Sequence, residues 1–130
     1  MSATDTLAND IAPVIVTDTG FGPDDGTVFH DLDGGDALPG DLSGLTAIRV
    51  RFAAFSDGRG FTLGRQLRLA GFTGRLRAAG PLLADQYAMA RRAGFDEVEI
   101  PADIARRQPE DQWRFRADWR SHDHQSRLRG

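Results

Sequence analysis

The chain contains no cysteine and no lysine; all 16 of its basic residues are arginine. Without cysteine it has no disulfide, no thiolate nucleophile and no sulfur ligand for zinc or an iron–sulfur cluster. Without lysine it has neither a Schiff-base amine nor the phosphate-binding lysine of a P-loop. The arginines are interspersed with acids and no aromatic-rich strand motif accompanies them, which argues against nucleic-acid binding. No apolar run is long enough for a membrane-spanning helix. The first residues, MSATDTLANDIAP, carry neither the basic start nor the apolar stretch of a secretion signal, so the expected location is the cytoplasm.

What the chain does contain is ordinary for a folded domain: 130 residues, 40% of them hydrophobic and 27% charged. That is enough for one domain with a normal core. Its charge is unevenly spread. Residues 1–45 hold nine Asp and no Arg, a charge of −9, and the remainder is +6, giving the net −3. Either the acidic segment folds back on an arginine-rich body, the favoured reading, or it is an arm for a basic partner.

Residues 1–12 read as loosely attached. Pro13 to Val16 and, after a TDTGFGPDDG turn, Thr27 to Asp31 read as a strand pair. The Gly/Asp/Pro-rich stretch 31–44 is a loop. From Thr46 to Phe52, Ile48, Val50 and Phe52 alternate with Arg49 and Arg51, the pattern of a strand with one covered face. Leu63, Leu67 and Ala70 then recur at helical spacing, with Thr62 as the expected N-cap and Gly71 as the stop. A strand at 75–79 follows, then a helix opened by Gly80-Pro81 and ended by Gly94, then a strand at Val98 to Ile100 halted by Pro101. Successive strand–helix–strand units predict parallel neighbours. The fold class is therefore α/β, a small parallel βαβαβ sheet core over 46–100 with an N-terminal strand pair. A helical tail follows over 102–128, broken at Gln108-Pro109. Trp113 and Trp119 of that tail are expected to bury their rings against the α/β body or a partner.

In an open parallel sheet, ligands bind beyond the carboxyl ends of the strands. Asp57, Gly58, Arg59 and Gly60 follow the first parallel strand; Asp85 and Gln86 follow the next and are placed in the first turn of the second helix. These residues are expected to converge, with Arg65 or Arg77 supplying charge to an oxyanion. Gly58, Gly60 and Gly64 form a GxGxxxG spacing that would let backbone N–H groups approach an anion. Each piece also has a structural reading. Asp57 closes a turn, Arg59 pairs with Asp85, and Asp85 or the Arg91-Arg92 pair complements a helix dipole. The His122-Asp123-His124 triplet reads as a solvated tail, His30 is isolated, and no metal site or catalytic residue is assigned. No flavin, nicotinamide or haem motif is present, so no cofactor is identified.

The run FAAFSDGRGFTLGRQLRLAGFTGRLRAAGPLLADQYAMARRAGFDEVEIP resembles a bacterial domain-of-unknown-function family, the one numbered 934. The resemblance is carried by Phe52 to Phe55, Asp57 to Phe61, Arg65, Gly71-Phe72, Gly74 to Gly80, Asp85-Gln86 and Arg92 to Asp96. Where the family shows Pro in its first segment, this chain has Ala. Members are described as oxidoreductases of sulfite reduction. The resemblance implies that metabolic context, with the sulfite reductase haemoprotein or its electron donor as partner; because no redox-active side chain or cofactor motif is visible here, the expected role is an accessory one. The alternative is a small-oxyanion binder or enzyme at the carboxyl edge. Neither reading involves nucleic acid or membrane.

Overall fold

Alternation of apolar and charged residues in the central strands divides the sheet into one greasy and one charged face, and the rest of the fold follows from covering each. The computed structural model describes residues 12–117. The expected loose N-terminus, apart from residue 12, and the tail beyond 117 with Trp119 and the histidine triplet lie outside the described residues.

The elements are β1 (Val14–Thr17), β2 (Gly20–Gly22), β3 (His30–Asp33), β4 (Ala47–Arg51), α1 (Arg59–Leu69), β5 (Arg75–Ala79), a 3-10 turn (Ala84–Gln86), α2 (Tyr87–Ala93), β6 (Glu97–Ile100), α3 (Ala102–Arg107) and α4 (Glu110–Arg116). The strands form one sheet in the order β2-β1-β6-β5-β4-β3. β3, β4, β5 and β6 are parallel; α1 crosses from β4 to β5 and α2 from β5 to β6, whereas residues 34–46 join β3 to β4 without a helix. β1 is antiparallel to both β6 and β2.

Three local expectations need correction. The partner of β1 is Gly20–Gly22, reached through a tight Asp18-Thr19 turn that Gly20 completes at φ +121. The second acidic segment is instead β3, a parallel strand at the opposite edge, where Leu32 is buried and Asp31 bonds to Arg49 and Arg51 of β4. Helix α1 starts at Arg59 with Gly58 as its N-cap, four residues before the expected cap Thr62, because Gly58 and Asp57 already offer their carbonyls to Thr62 and Gly60. Gly80-Pro81 does not open α2. The Leu82 amide bonds back to the Gly80 carbonyl in a tight turn, and helical geometry resumes at Ala84. The expected stops hold: Gly71 follows α1 at φ +100, and Gly94 caps α2 at φ +110, with the Phe95 amide bonded to the Ala90 carbonyl.

The apolar face, with Ile48, Val50, Leu76, Ala78, Val98 and Ile100, is buried under α1 and α2. Phe52 packs edge-on to Phe61 and Phe95. Trp113 of α4 buries its ring as expected, edge-on to Tyr87, and donates its indole N–H to the Gln108 carbonyl. Glu110 of the same helix accepts the Phe21 amide and so covers the β2 edge.

The other face is a ladder of arginines and acids. One rung runs Asp31–Arg49–Arg77–Glu97 and the next Asp33–Arg51–Ala79–Glu99. The loop 23–29 crosses this face as a strap from β2 to β3. Asp24 pairs with Arg77, Asp25 with Arg75, and the Phe29 ring lies under the guanidinium groups of Arg49, Arg75 and Arg77. Within the described residues the acidic N-terminal segment therefore does fold against the arginine-rich body.

Candidate functional site

The four parallel strands end nearly level, so Asp33, Arg51, Ala79 and Glu99 stand in register at the carboxyl edge. Beyond β4 the chain turns into α1, and Asp57 receives two hydrogen bonds from Arg59, at 2.9 and 3.4 Å. The Arg59 guanidinium holds the Asp57 carboxyl below the usual carboxylate range. Arg59 lies across Gly35, where a Cβ would stand 2.7 Å from its Nη1, so only glycine lets it lie there undisturbed. Asp33, Gly34, Gly35, Arg51, Asp57 and Arg59 line a depression of about 460 Å³.

Gln86 reaches this region but is occupied with structure. Its Oε1 accepts the Leu83 amide at 2.9 Å, and its Nε2 donates to the Phe55 carbonyl at 2.6 Å. It thereby clips the loop after β4 to the turn after β5, which accounts for a polar residue at a half-buried position. Asp85 turns away. It pairs with Arg116 at 2.7 Å and faces a separate depression of about 360 Å³ between the 3-10 turn and α4. The expected Arg59–Asp85 bridge does not form, because each has a nearer partner.

The other candidates are placed elsewhere. Arg65 is exposed on α1, lines neither depression and makes no ion pair among the described residues. Arg77 is fully buried at the centre of the charged face, not at the carboxyl edge. Its Nε donates to Glu97 at 2.6 Å, and its Nη1 to Glu99 at 2.9 Å and Asp24 at 3.2 Å. Its Nη2 lies 2.6 Å from Glu97 but out of line for a hydrogen bond. Two of the three spaced glycines serve packing. Gly60 lets α1 sit against the Phe52 ring and Gly64 against the Phe95 ring, while Gly58 has open space around it.

Two contributors escaped sequence reasoning. Arg51 was legible only as an outward residue of an alternating strand; being the last such residue of β4 is what puts it at the edge. Arg68 gathers the Gly94, Phe72 and Gly74 carbonyls and the Asp96 carboxylate, closing the ends of α1 and α2 together. Nothing in its spacing announces this, since its partners come from two turns, the one after α1 and the one after α2.

A mostly parallel sheet with helices on one face, a charged ladder on the other and an open carboxyl edge defines a two-layer α/β protein. Residues 28–127 match the family described as a bacterial protein of unknown function (DUF934), and the chain belongs to that family. Nothing matches it among curated proteins or solved structures. No helix among the described residues is long and apolar enough to cross a membrane.

Proposed function

We propose that this chain is a cytoplasmic accessory protein of assimilatory sulfite reduction, acting by contact with the sulfite reductase haemoprotein or its electron donor. The metabolic context comes from the family resemblance. The observation that carries contact as the mode of action is a pair of exposed rings beside the 3-10 turn. Phe55, 53% exposed, is held there through its carbonyl by Gln86, and Phe115, 63% exposed, lines the depression that Asp85 borders. Aromatics amid arginines make the composition of a contact surface, in which the rings bury area and the charges orient the partner. The test is binding of the purified chain to immobilised reductase haemoprotein and, separately, to its electron donor. Wild type should bind one of them, and Phe55→Ser with Phe115→Ser should weaken that binding at least about tenfold. Absence of wild-type binding to both, or an undiminished double variant, rejects the reading.

A second reading, a small-oxyanion site, is favoured by Arg51 and Arg59. Both are more than half exposed and border the same depression. Planar guanidinium groups hold oxyanions by two-point contact. Arg59→Ala should impair growth on sulfate or sulfite and leave growth on cysteine normal; normal growth on all three sets this reading aside.

A further inference from the structure

The two rungs of the charged face differ in one residue, and the difference leaves a hole. In the lower rung Arg77 stands between Arg49 and Glu97, and the acidic strap closes over it. In the upper rung the same position is Ala79, so no side chain of the described residues fills the space between Arg51 and Glu99. The result is a groove of about 200 Å³ whose walls include Arg51, Phe52, Gly80 and Glu99, with Pro13 and Pro101 beside it. That is smaller than the roughly 300–1,000 Å³ that accepts drug-sized ligands, so only a small metabolite fits.

Its two charged walls keep unused bonding capacity. Arg51 is half exposed, and its one ion-pair contact among the described residues is a long 3.3 Å bond from Nη2 to Asp31, so its other N–H groups are not spent on any of them. Glu99 is 16% exposed; its Oε1 accepts both Arg49 at 3.0 Å and Arg77 at 2.9 Å, and its Oε2 accepts from none of the described residues. A simple anion drawn to Arg51 would face the Glu99 carboxylate, and a simple cation drawn to Glu99 would face Arg51. A molecule bearing both charges satisfies both walls, its ammonium continuing the ladder where an arginine is missing.

We propose that the groove over Ala79 binds a small zwitterion of the α-amino-acid class, the carboxylate on Arg51 and the ammonium on Glu99. The site is independent of the phenylalanine surface. It differs from the oxyanion reading in requiring Glu99, which a bare oxyanion would avoid.

The test titrates each proteinogenic L-amino acid into the ¹⁵N-labelled chain, with acetate, ethylammonium and sulfate as single-charge probes. At least one amino acid should saturate amide shifts around Ala79 and Gly80, with each single-charge probe at least about tenfold weaker. Arg51→Met, a half-exposed position, should weaken binding at least about tenfold, and Ala79→Leu should abolish it by filling the floor. Circular dichroism checks that the variants fold, and should the leucine variant not fold, Arg51→Met decides. The proposal is overturned if no amino acid saturates, if sulfate binds as tightly as the best amino acid, or if Arg51→Met binds as wild type does.

Discussion

At the scale of single residues, glycine and arginine carry the fold. Gly64 belongs to a helix but lies against the ring of Phe95, in the turn before β6. A Cβ there would stand 2.5 Å from Phe95, a ring with no exposed surface to retreat into. Gly64→Ala should therefore destabilise by about 1–3 kcal/mol through overpacking, against a gain of roughly 1 kcal/mol in helix propensity. Gly58→Ala, with φ −63 and nothing near its would-be Cβ, should be neutral or slightly stabilising. Denaturant midpoints of the two variants compare them directly, and equal midpoints would contradict the packing role. Tyr87 gives a second residue-scale prediction. Burial, then its hydrogen bond to the Asp18 carboxylate, raises the phenol well above its ordinary value. The folded state thus holds a proton that the unfolded chain releases near pH 10. Stability should be fully present below about pH 10 and fall as pH rises beyond it. Tyr87→Phe should flatten that alkaline slope in thermal melts taken across the range.

At the scale of elements, the strap shows how topology constrains sequence. β2 and β3 lie at opposite edges of a six-stranded sheet, and residues 23–29 join them across the charged face. Five strand spacings of about 4.8 Å make roughly 24 Å, and the chain from Gly22 to His30 reaches at most about 26–29 Å when extended. The strap is thus close to its limit, and side chains rather than backbone hydrogen bonds fasten it to the sheet. Deleting Gly26 should lower the melting temperature by several degrees, since it pulls Asp24 and Asp25 off their arginines. Inserting two glycines after Gly26 should cost less, because a longer loop adds only about 0.6 kcal/mol per doubling of length. Equal losses for deletion and insertion would show the strap to be slack. Alternating hydrophobicity revealed β4, and the capping glycines revealed where α1 and α2 end. The edge partners were misplaced because a short polar strand has no local signal for its neighbour. His30–Asp33 is recognisable only once Arg49 and Arg51 stand beside it.

At the scale of the whole molecule, the uneven charge of the chain becomes internal neutralisation. Asp18, Asp24, Asp25 and Asp31 from the acidic end meet Arg91, Arg77, Arg75 and Arg49 from the basic remainder. The hydrogen bond from Arg49 holds the Asp31 carboxyl below its usual range. A depressed carboxyl contributes stability that is present above about pH 4 and lost as pH falls through the folded value. Acid unfolding followed by circular dichroism should therefore begin near the ordinary carboxylate range, and Asp31→Asn should make the dependence shallower. An identical acid profile for the variant would remove Asp31 from the account.

The strand–helix–strand order, the helix stops and the inward faces were settled by the sequence alone, because alternation, helical spacing and left-handed glycines act over a few residues. The candidate site was only half legible. Asp57 and Arg59 are neighbours in the chain and meet through their own turn, whereas Asp85 and Gln86 share a turn yet point to different partners. Arg51, Ala79 and Glu99 become one rung only when three strands align, so no spacing along the chain could have announced the groove between them. Tertiary structure decided that much because strand register is set by burying one face of the whole sheet at once, and every side chain on the other face inherits its neighbours from that choice.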